Sequence, residues 1–142
     1  MAENVFYTIR GYSRMEQPDI SHTMEDYLEM ICRHAREEKF IRVNRLAALL
    51  NVRPPSASKM AGKLRESGMV QFEPYGVIRL TPKGEEVGSY LLHRHEVLHR
   101  LLCFINRSED ELELVERIEH FFSGETVANI ERLLNEWQPQ GK

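Results

Sequence analysis

The chain has 142 residues, 42% of them hydrophobic, and a formal net charge of -3. That length suits one compact domain or two small ones, and the apolar content excludes global disorder. The acidic balance would argue against a polyanionic partner only if it were evenly spread. It is not: residues 39–84 carry nine Lys/Arg against Glu66 and Glu73, a net of +7, while residues 1–38 net -4 and residues 85–142 net -6. A basic block between acidic flanks can meet nucleic acid locally. No apolar run is long enough to span a bilayer. The MAENVFYTIR start lacks the basic-then-apolar pattern of a signal peptide, so a cytoplasmic protein with no membrane partner is expected. Cys32 and Cys103 sit in apolar helical patterns with no C-x-x-C spacing, as small buried hydrophobes in a reducing compartment do.

Residues 1–21 have no clear period and read as an N-terminal extension. Thr23 offers an N-cap for a helix to about residue 38, with Met24, Tyr27, Leu28, Ile31, Cys32 and Ala35 as its apolar stripe. Val43–Leu50 reads as a short helix, Asn51-Val52 as a tight turn, and Arg53-Pro54-Pro55 as the opening of a second helix that stops near Gly68. Helix, turn and polar-faced helix make a helix-turn-helix. The runs Met69–Phe72 and Val77–Leu80, joined by Glu73-Pro74-Tyr75-Gly76, predict a hairpin that would serve as a wing. Thr81-Pro82 then starts a long helix to about Ile105, with Val87, Tyr90, Leu91, Leu98, Leu101, Leu102 and Ile105 on one face. Ser108 and Glu111 match a capping box for a helix to about Phe122, and Glu125–Trp137 forms the last helix.

The fold class is therefore mainly α. A winged helix-turn-helix DNA-binding domain over residues 22–84 is followed by a helical domain over residues 85–142. Arg53, Pro55, Ser56, Ser58, Lys59 and Lys63 are candidates for the major groove and its phosphates, and Tyr75 and Arg79 for wing contacts. A merely solvated basic face fits the same residues, though order, spacing and charge agree on the reader.

Carboxylate and imidazole side chains recur on three separated helical stretches: Asp26 with Glu29, then His95, then Glu116 with Glu119 and His120. Such donors suit a hard or borderline divalent ion. Glu116, Glu119 and His120 share one helical face. Asp26 and Glu29 point away from the apolar stripe of their helix. His95 lies at the edge of its own, with His93 and His99 nearby. Taken singly, each group is equally what a solvated charged face or a partly buried histidine looks like, and helical geometry alone does not bring them together.

The segments MEDYLEMI (24–31), RPPSASKMAGKL (53–64), GVIRLTPKGEEVG (76–88), RHEVLHRLL (94–102) and VERIEHFFS (115–123) carry a resemblance. Over roughly residues 22–137 the chain resembles the DtxR/MntR family of metal-dependent transcriptional repressors, and within it the manganese branch. The resemblance implies that Asp26, Glu29, His95, Glu116, Glu119 and His120 bind metal. It implies Mn²⁺, two ions per subunit, with Cd²⁺, Zn²⁺, Co²⁺ and Fe²⁺ also able to bind. Iron-responsive members carry Met at the place of Asp26 and Cys at that of Glu116; the carboxylates here favour a harder ion. His99 stands where relatives often have a carboxylate.

It further implies a homodimer that represses metal-uptake genes on a double-stranded DNA operator, with no small organic ligand. Leu112, Val115, Ile118, Phe121, Phe122, Ile130, Leu133, Leu134 and Trp137 would form the dimer face. Metal would set the two reading helices about 34 Å apart. Rival readings are an iron- or zinc-responsive repressor of the same fold, a regulator using an organic ligand, and a dimetal carboxylate enzyme. The last needs an open coordination position and a placed base, and no spare convergent base is evident.

Overall fold

The structure, a computed structural model, describes residues 20–137, so all but the last two residues of the expected N-terminal extension lie outside the described residues. Helix α1 is His22–Ala35. Ser21, not Thr23, is its N-cap, accepting a hydrogen bond from the Met24 amide at 3.2 Å. It stops at Ala35 rather than near 38: the His34 carbonyl takes the amides of both Glu37 and Glu38 at 3.0 Å. The run Arg36-Glu37-Glu38-Lys39 offers no apolar side chain to continue the buried stripe.

A two-residue strand β1, Ile41–Arg42, leads into α2, Val43–Leu50. The turn to α3, Pro54–Glu66, is made by Asn51 in the left-handed conformation, with φ 56°. Arg53 is extended, as a residue before proline must be. Ala57, Ala61 and Leu64 are the inward face of α3. Strands β2, Val70–Glu73, and β3, Val77–Leu80, form the hairpin, and β1 pairs with β3 to give an antiparallel sheet of order β1-β3-β2. Ile41 stands opposite Ile78. Strand β1 is a structural addition that two residues of sequence could not signal.

Helix α4, Pro82–Asn106, is capped by Thr81, whose hydroxyl accepts from the Gly84 amide at 3.0 Å. Two glycines let this helix approach the winged module. A Cβ on Gly84 would collide with the Met69 carbonyl oxygen, and one on Gly88 would lie 2.8 Å from the Cys32 Cβ. The face expected from periodicity is only partly buried: Leu91, Leu98 and Leu102 are inside, but Tyr90 is 36% and Ile105 57% exposed. Leu92, Val97 and Arg94 are buried instead. The reason is that α4 packs on α1 with its first half and on the last helices with its second, so no single stripe serves its whole length.

Helix α5, Leu112–Ile118, runs directly into a 3-10 turn, Glu119–Phe121, and α6 is Gly124–Trp137. The capping box does not form as expected. Ser108 Oγ donates to the Glu111 carboxylate at 2.8 Å, Glu111 itself is the N-cap position, and the Leu112 amide is taken by Asp110 at 3.0 Å.

The main core joins α1, α2, α3, the sheet and Leu91 of α4, and includes Leu28, Leu46, Leu64 and Ile78 at full burial. Two small clusters hold the C-terminal helices: Val97 with Val127 and Leu134, and Leu98 with Leu102 and Val115. Among the described residues no helix is long and apolar enough to cross a membrane.

Candidate metal centre and nucleic-acid interface

Four elements meet where α1 crosses α4. Asp26 and Glu29 come from α1, His95 from α4, Glu116 from α5, and Glu119 and His120 from the 3-10 turn. The six residues named from sequence fall into two groups that share Glu119. Glu29, His95, Glu116 and Glu119 bring one ligand atom each within 4.8 Å of one another, and so do Asp26, Glu119 and His120. His95 Nδ1 is 3.2 Å from Glu119 Oε1 and 3.5 Å from Glu116 Oε1. His120 Nε2 is 2.9 Å from Asp26 Oδ1, although the pair is not aligned as a hydrogen bond. A 210 Å³ cavity lined by Asp26, Glu29, Met30, Arg33, Leu50 and Glu116 opens beside the first group.

Two expectations about these side chains need correction. Glu29 is not on a solvated face: it is 5% exposed, because α4 and the 3-10 turn close over that side of α1. Glu119 is fully buried and does not lie on a regular helical face with Glu116, since the backbone tightens to 3-10 geometry at that point.

Buried carboxylates this close repel. Burial, then the negative charges of Glu119 and Glu116, push the Glu29 carboxyl up to about 8. Burial and Glu119 likewise raise Glu116. Burial acts the same way on Glu119, but the hydrogen bond and charge of His95, helped by Arg94, outweigh it and hold that carboxyl below its ordinary value. For His120 burial opposes the charged form, yet the close carboxylates of Asp26 and Glu25 carry it up to about 10. Asp26 Oδ1, Glu29 Oε1 and Glu119 Oε2 are buried with no hydrogen-bond partner. Orphaned buried carboxylate oxygens from two elements, beside two imidazoles, fit a divalent cation bound mainly through oxygen.

Sequence reasoning missed two residues here. Glu25 Oε1 is 2.7 Å from His120 Nδ1, and Arg94 Nη2 is 3.3 Å from Glu25 Oε1 and 3.6 Å from Glu29 Oε1. Arg94 had a signal: it stands three residues after Leu91 and four before Leu98, a charge inside a buried stripe. Glu25 had none beyond its place next to Asp26. The neighbouring histidines are used elsewhere. His99 Nε2 accepts the Glu111 amide at 3.1 Å, and His93 faces Glu131 at 3.1 Å.

In the winged module, Arg53, Pro55, Ser56, Lys59 and Lys63 are exposed along the outer face of α3, and Ser58 is half-buried. Tyr75 is 93% exposed at the wing tip, with φ 65°, a conformation rare for a bulky residue. Arg42 Nη1 donates to the Tyr75 carbonyl at 3.2 Å and ties the wing to the start of α2. Arg79 is not a free wing cation: it lies 3.4 Å from Glu73 and 5.2 Å from the Phe40 ring centroid.

This arrangement can be compared with known proteins. A model described as the iron dependent repressor N-terminal DNA binding domain matches residues 19–78. One described as the iron dependent repressor metal binding and dimerisation domain matches residues 81–140. The chain belongs to the iron dependent repressor family. As a family member it is a metal-dependent DNA-binding transcriptional regulator that dimerises, and it is not an enzyme. This repressor is 38% identical over 117 residues to the HTH-type transcriptional regulator MntR of Geobacillus kaustophilus (strain HTA426), covering 82% of this chain and 83% of that one. Among solved structures it is similar to the manganese regulator SloR, with 30% identity, a TM-score of 0.68 and 79% of this chain covered. ScaR with bound Cd²⁺ follows at 26% identity, TM-score 0.66 and the same 79% coverage. This chain spans only 53% of either structure.

Proposed function

We propose that this repressor is manganese-responsive and that Asp26, Glu29, His95, Glu116, Glu119 and His120 are its metal ligands, holding two ions per subunit. The observation that carries the reading is Glu119: fully buried, and common to both ligand groups. Mn²⁺ is favoured by donor chemistry, since no thiolate or thioether belongs to either group. The relatives named for manganese point the same way. Bound ions would supply the positive charge that these carboxylates lack.

The protein's own part is mechanical. Asp26 and Glu29 belong to the helix that braces the DNA reader, and Glu116, Glu119 and His120 to the segment that leads into α6. When these groups are held together, the reader is fixed relative to the dimerisation helices. When they repel, it is released. The division between reading and sensing parts falls at the start of α4, near residue 84. In the dimer, α3 lies in the major groove, with Arg53, Pro55, Ser56, Ser58, Lys59 and Lys63 towards bases and phosphates and Tyr75 and Arg79 on the wing side. Two copies fix the spacing of the half-sites.

The dimer face consists of the apolar side chains left exposed: Leu112, Leu114, Phe121, Leu133 and Trp137. Val115 and Leu134, expected there, are buried within the chain and belong to its own core. The resulting regulator acts on metal-uptake genes. The test is fluorescence anisotropy with DNA fragments selected for Mn²⁺-dependent binding, repeated across Mn²⁺, Fe²⁺, Zn²⁺, Co²⁺ and Cd²⁺ under reducing conditions. Tight binding with Mn²⁺ and weak binding without metal is expected. Equal affinity with and without any ion would end the reading, and a response confined to Fe²⁺ or Zn²⁺ would replace manganese.

A further inference from the structure

Beneath the ligand groups lies a second layer that ties three of the same elements. Glu25 comes from the first turn of α1, Arg94 from the middle of α4, and both meet His120 of the 3-10 turn. We propose that Glu25, held in place by Arg94, is a positioning residue for one ion position only, that of Asp26, Glu119 and His120. This inference rests on the metal reading above and goes beyond it, because neither residue offers an atom to either ligand group.

The argument begins with the His120 ring. Its two nitrogens lie on different edges and do different work. Nδ1 is 2.7 Å from Glu25 Oε1, while Nε2 is 2.9 Å from Asp26 Oδ1. A carboxylate accepting Nδ1–H fixes the ring's rotation and leaves Nε2 as the nitrogen that faces the ligand oxygens. Such partners also raise the basicity of the ligating nitrogen.

Glu25 in turn has to be held. It is part-buried, and an ionised carboxylate is costly there unless paired. Arg94 Nη2 lies 3.3 Å away and is itself 3% exposed. A guanidinium stays charged at any working pH. Beside a cation site a fixed positive charge is a Coulombic disadvantage. Its placement is accounted for by Glu25, and by Glu29 Oε1 at 3.6 Å.

The layer acts unequally on the two groups. His95 Nδ1 faces Glu119 and Glu116 directly, and neither Glu25 nor Arg94 touches its ring. Loss of Glu25 therefore frees the His120 ring and leaves the His95 group in place.

The experiment is titration of the full chain with Mn²⁺ by isothermal calorimetry, with Co²⁺ absorbance as an independent view of each ion's surroundings. The proteins are wild type, Glu25→Ala, Glu25→Gln and Arg94→Gln. Thermal melts of the metal-free proteins establish that each is folded. Wild type should bind two ions. Glu25→Ala should retain one with near-native affinity and bind the other about 10–100-fold more weakly. Glu25→Gln, whose amide oxygen still accepts Nδ1–H, should lie between, and it carries the test if the alanine variant does not fold. Arg94→Gln should weaken that ion through Glu25 and, through its 3.6 Å contact with Glu29, the other as well. If Arg94 were only a repelling charge, its loss would tighten both ions, and that result overturns its role. Two native ions in Glu25→Ala, or equal weakening of both, overturns the proposal while the metal reading stands. A wild type that binds no ion brings down the metal reading first.

Discussion

The winged module fills its own core, whereas the C-terminal helices leave theirs open. Residues 20–80 gather Leu28, Leu46, Leu64 and Ile78 at full burial around one centre. Residues 85–137 manage two small clusters and leave Ile105, Leu112, Phe121, Leu133 and Trp137 exposed, from 39% to 63%. An exposed apolar set of that kind marks a face made for a partner. The charges divide the same way: the reader keeps its cations on an outer helix face, and the seam between the halves collects buried carboxylates. One half is thus a finished tool, and the other becomes complete only when a second copy and added positive charge are supplied.

The sharpest way to break this contrast is at Glu119. Glu119→Gln keeps the shape but removes the charge common to both ligand groups. Metal-dependent operator binding should fall by the whole coupling, about 5–150-fold, while metal-independent affinity for DNA stays as it was. Anisotropy titrations with and without Mn²⁺ measure both, and a retained Mn²⁺ response would separate the seam from the signal.

A second effect tests whether the seam is mechanically tight. Gly84→Ala drives a Cβ into the Met69 carbonyl oxygen, a backbone atom with nowhere to go. A loss of about 3 kcal/mol is expected from such overpacking. Gly62, in α3, has nothing within 4 Å of its missing Cβ. Gly62→Ala should stabilise by about 0.5–1 kcal/mol through helix propensity alone. Urea unfolding of the metal-free variants compares the two, and similar outcomes would mean that α4 is not wedged against the hairpin.

These two positions also show what sequence could and could not reveal. The reader was legible because local signals agree: Asn51 in a left-handed turn, Pro54 at a helix start, Gly76 with φ 77° in the wing. The candidate ligands were legible as residue types, and a family resemblance linked them. Their division into two groups was not, because it depends on a helix tightening to 3-10 geometry at Glu119. Nor was the α1–α4 crossing, since Gly88 announces nothing until Cys32 is found 2.8 Å from where its Cβ would be. Contacts between distant segments leave no period in the chain, and Arg94 left only an odd charge in an apolar stripe.

Proton competition gives a third, graded test. Without metal, Glu29 titrates near about 8 and His120 near about 10, against ordinary values of 4.5 and 6.5. Both folded values are raised, so each group favours the folded state fully below its ordinary value and loses that contribution as pH rises through the folded one. The metal-free protein should therefore weaken between pH 6.5 and 8, where both groups contribute. A bound cation needs both sites deprotonated, so Mn²⁺ affinity should rise with pH, by about tenfold per unit for each proton released. The rise in thermal midpoint on adding Mn²⁺ should grow over the same window. A pH-independent increment would mean that neither proton is displaced.

The smallest effect belongs to the finished half. Lys59 and Lys63 are exposed on the outer face of α3. Replacing either by Ala should remove the proposed phosphate contact and lower affinity by a similar factor on every DNA sequence. The salt dependence reports this more cleanly than affinity does. Each lost phosphate contact reduces the slope of log K against log salt by about 0.9. The Mn²⁺ response itself should be unchanged, since these lysines belong to neither ligand group. A lysine variant with an altered Mn²⁺ threshold would show that reading and sensing are not as separate as their cores imply.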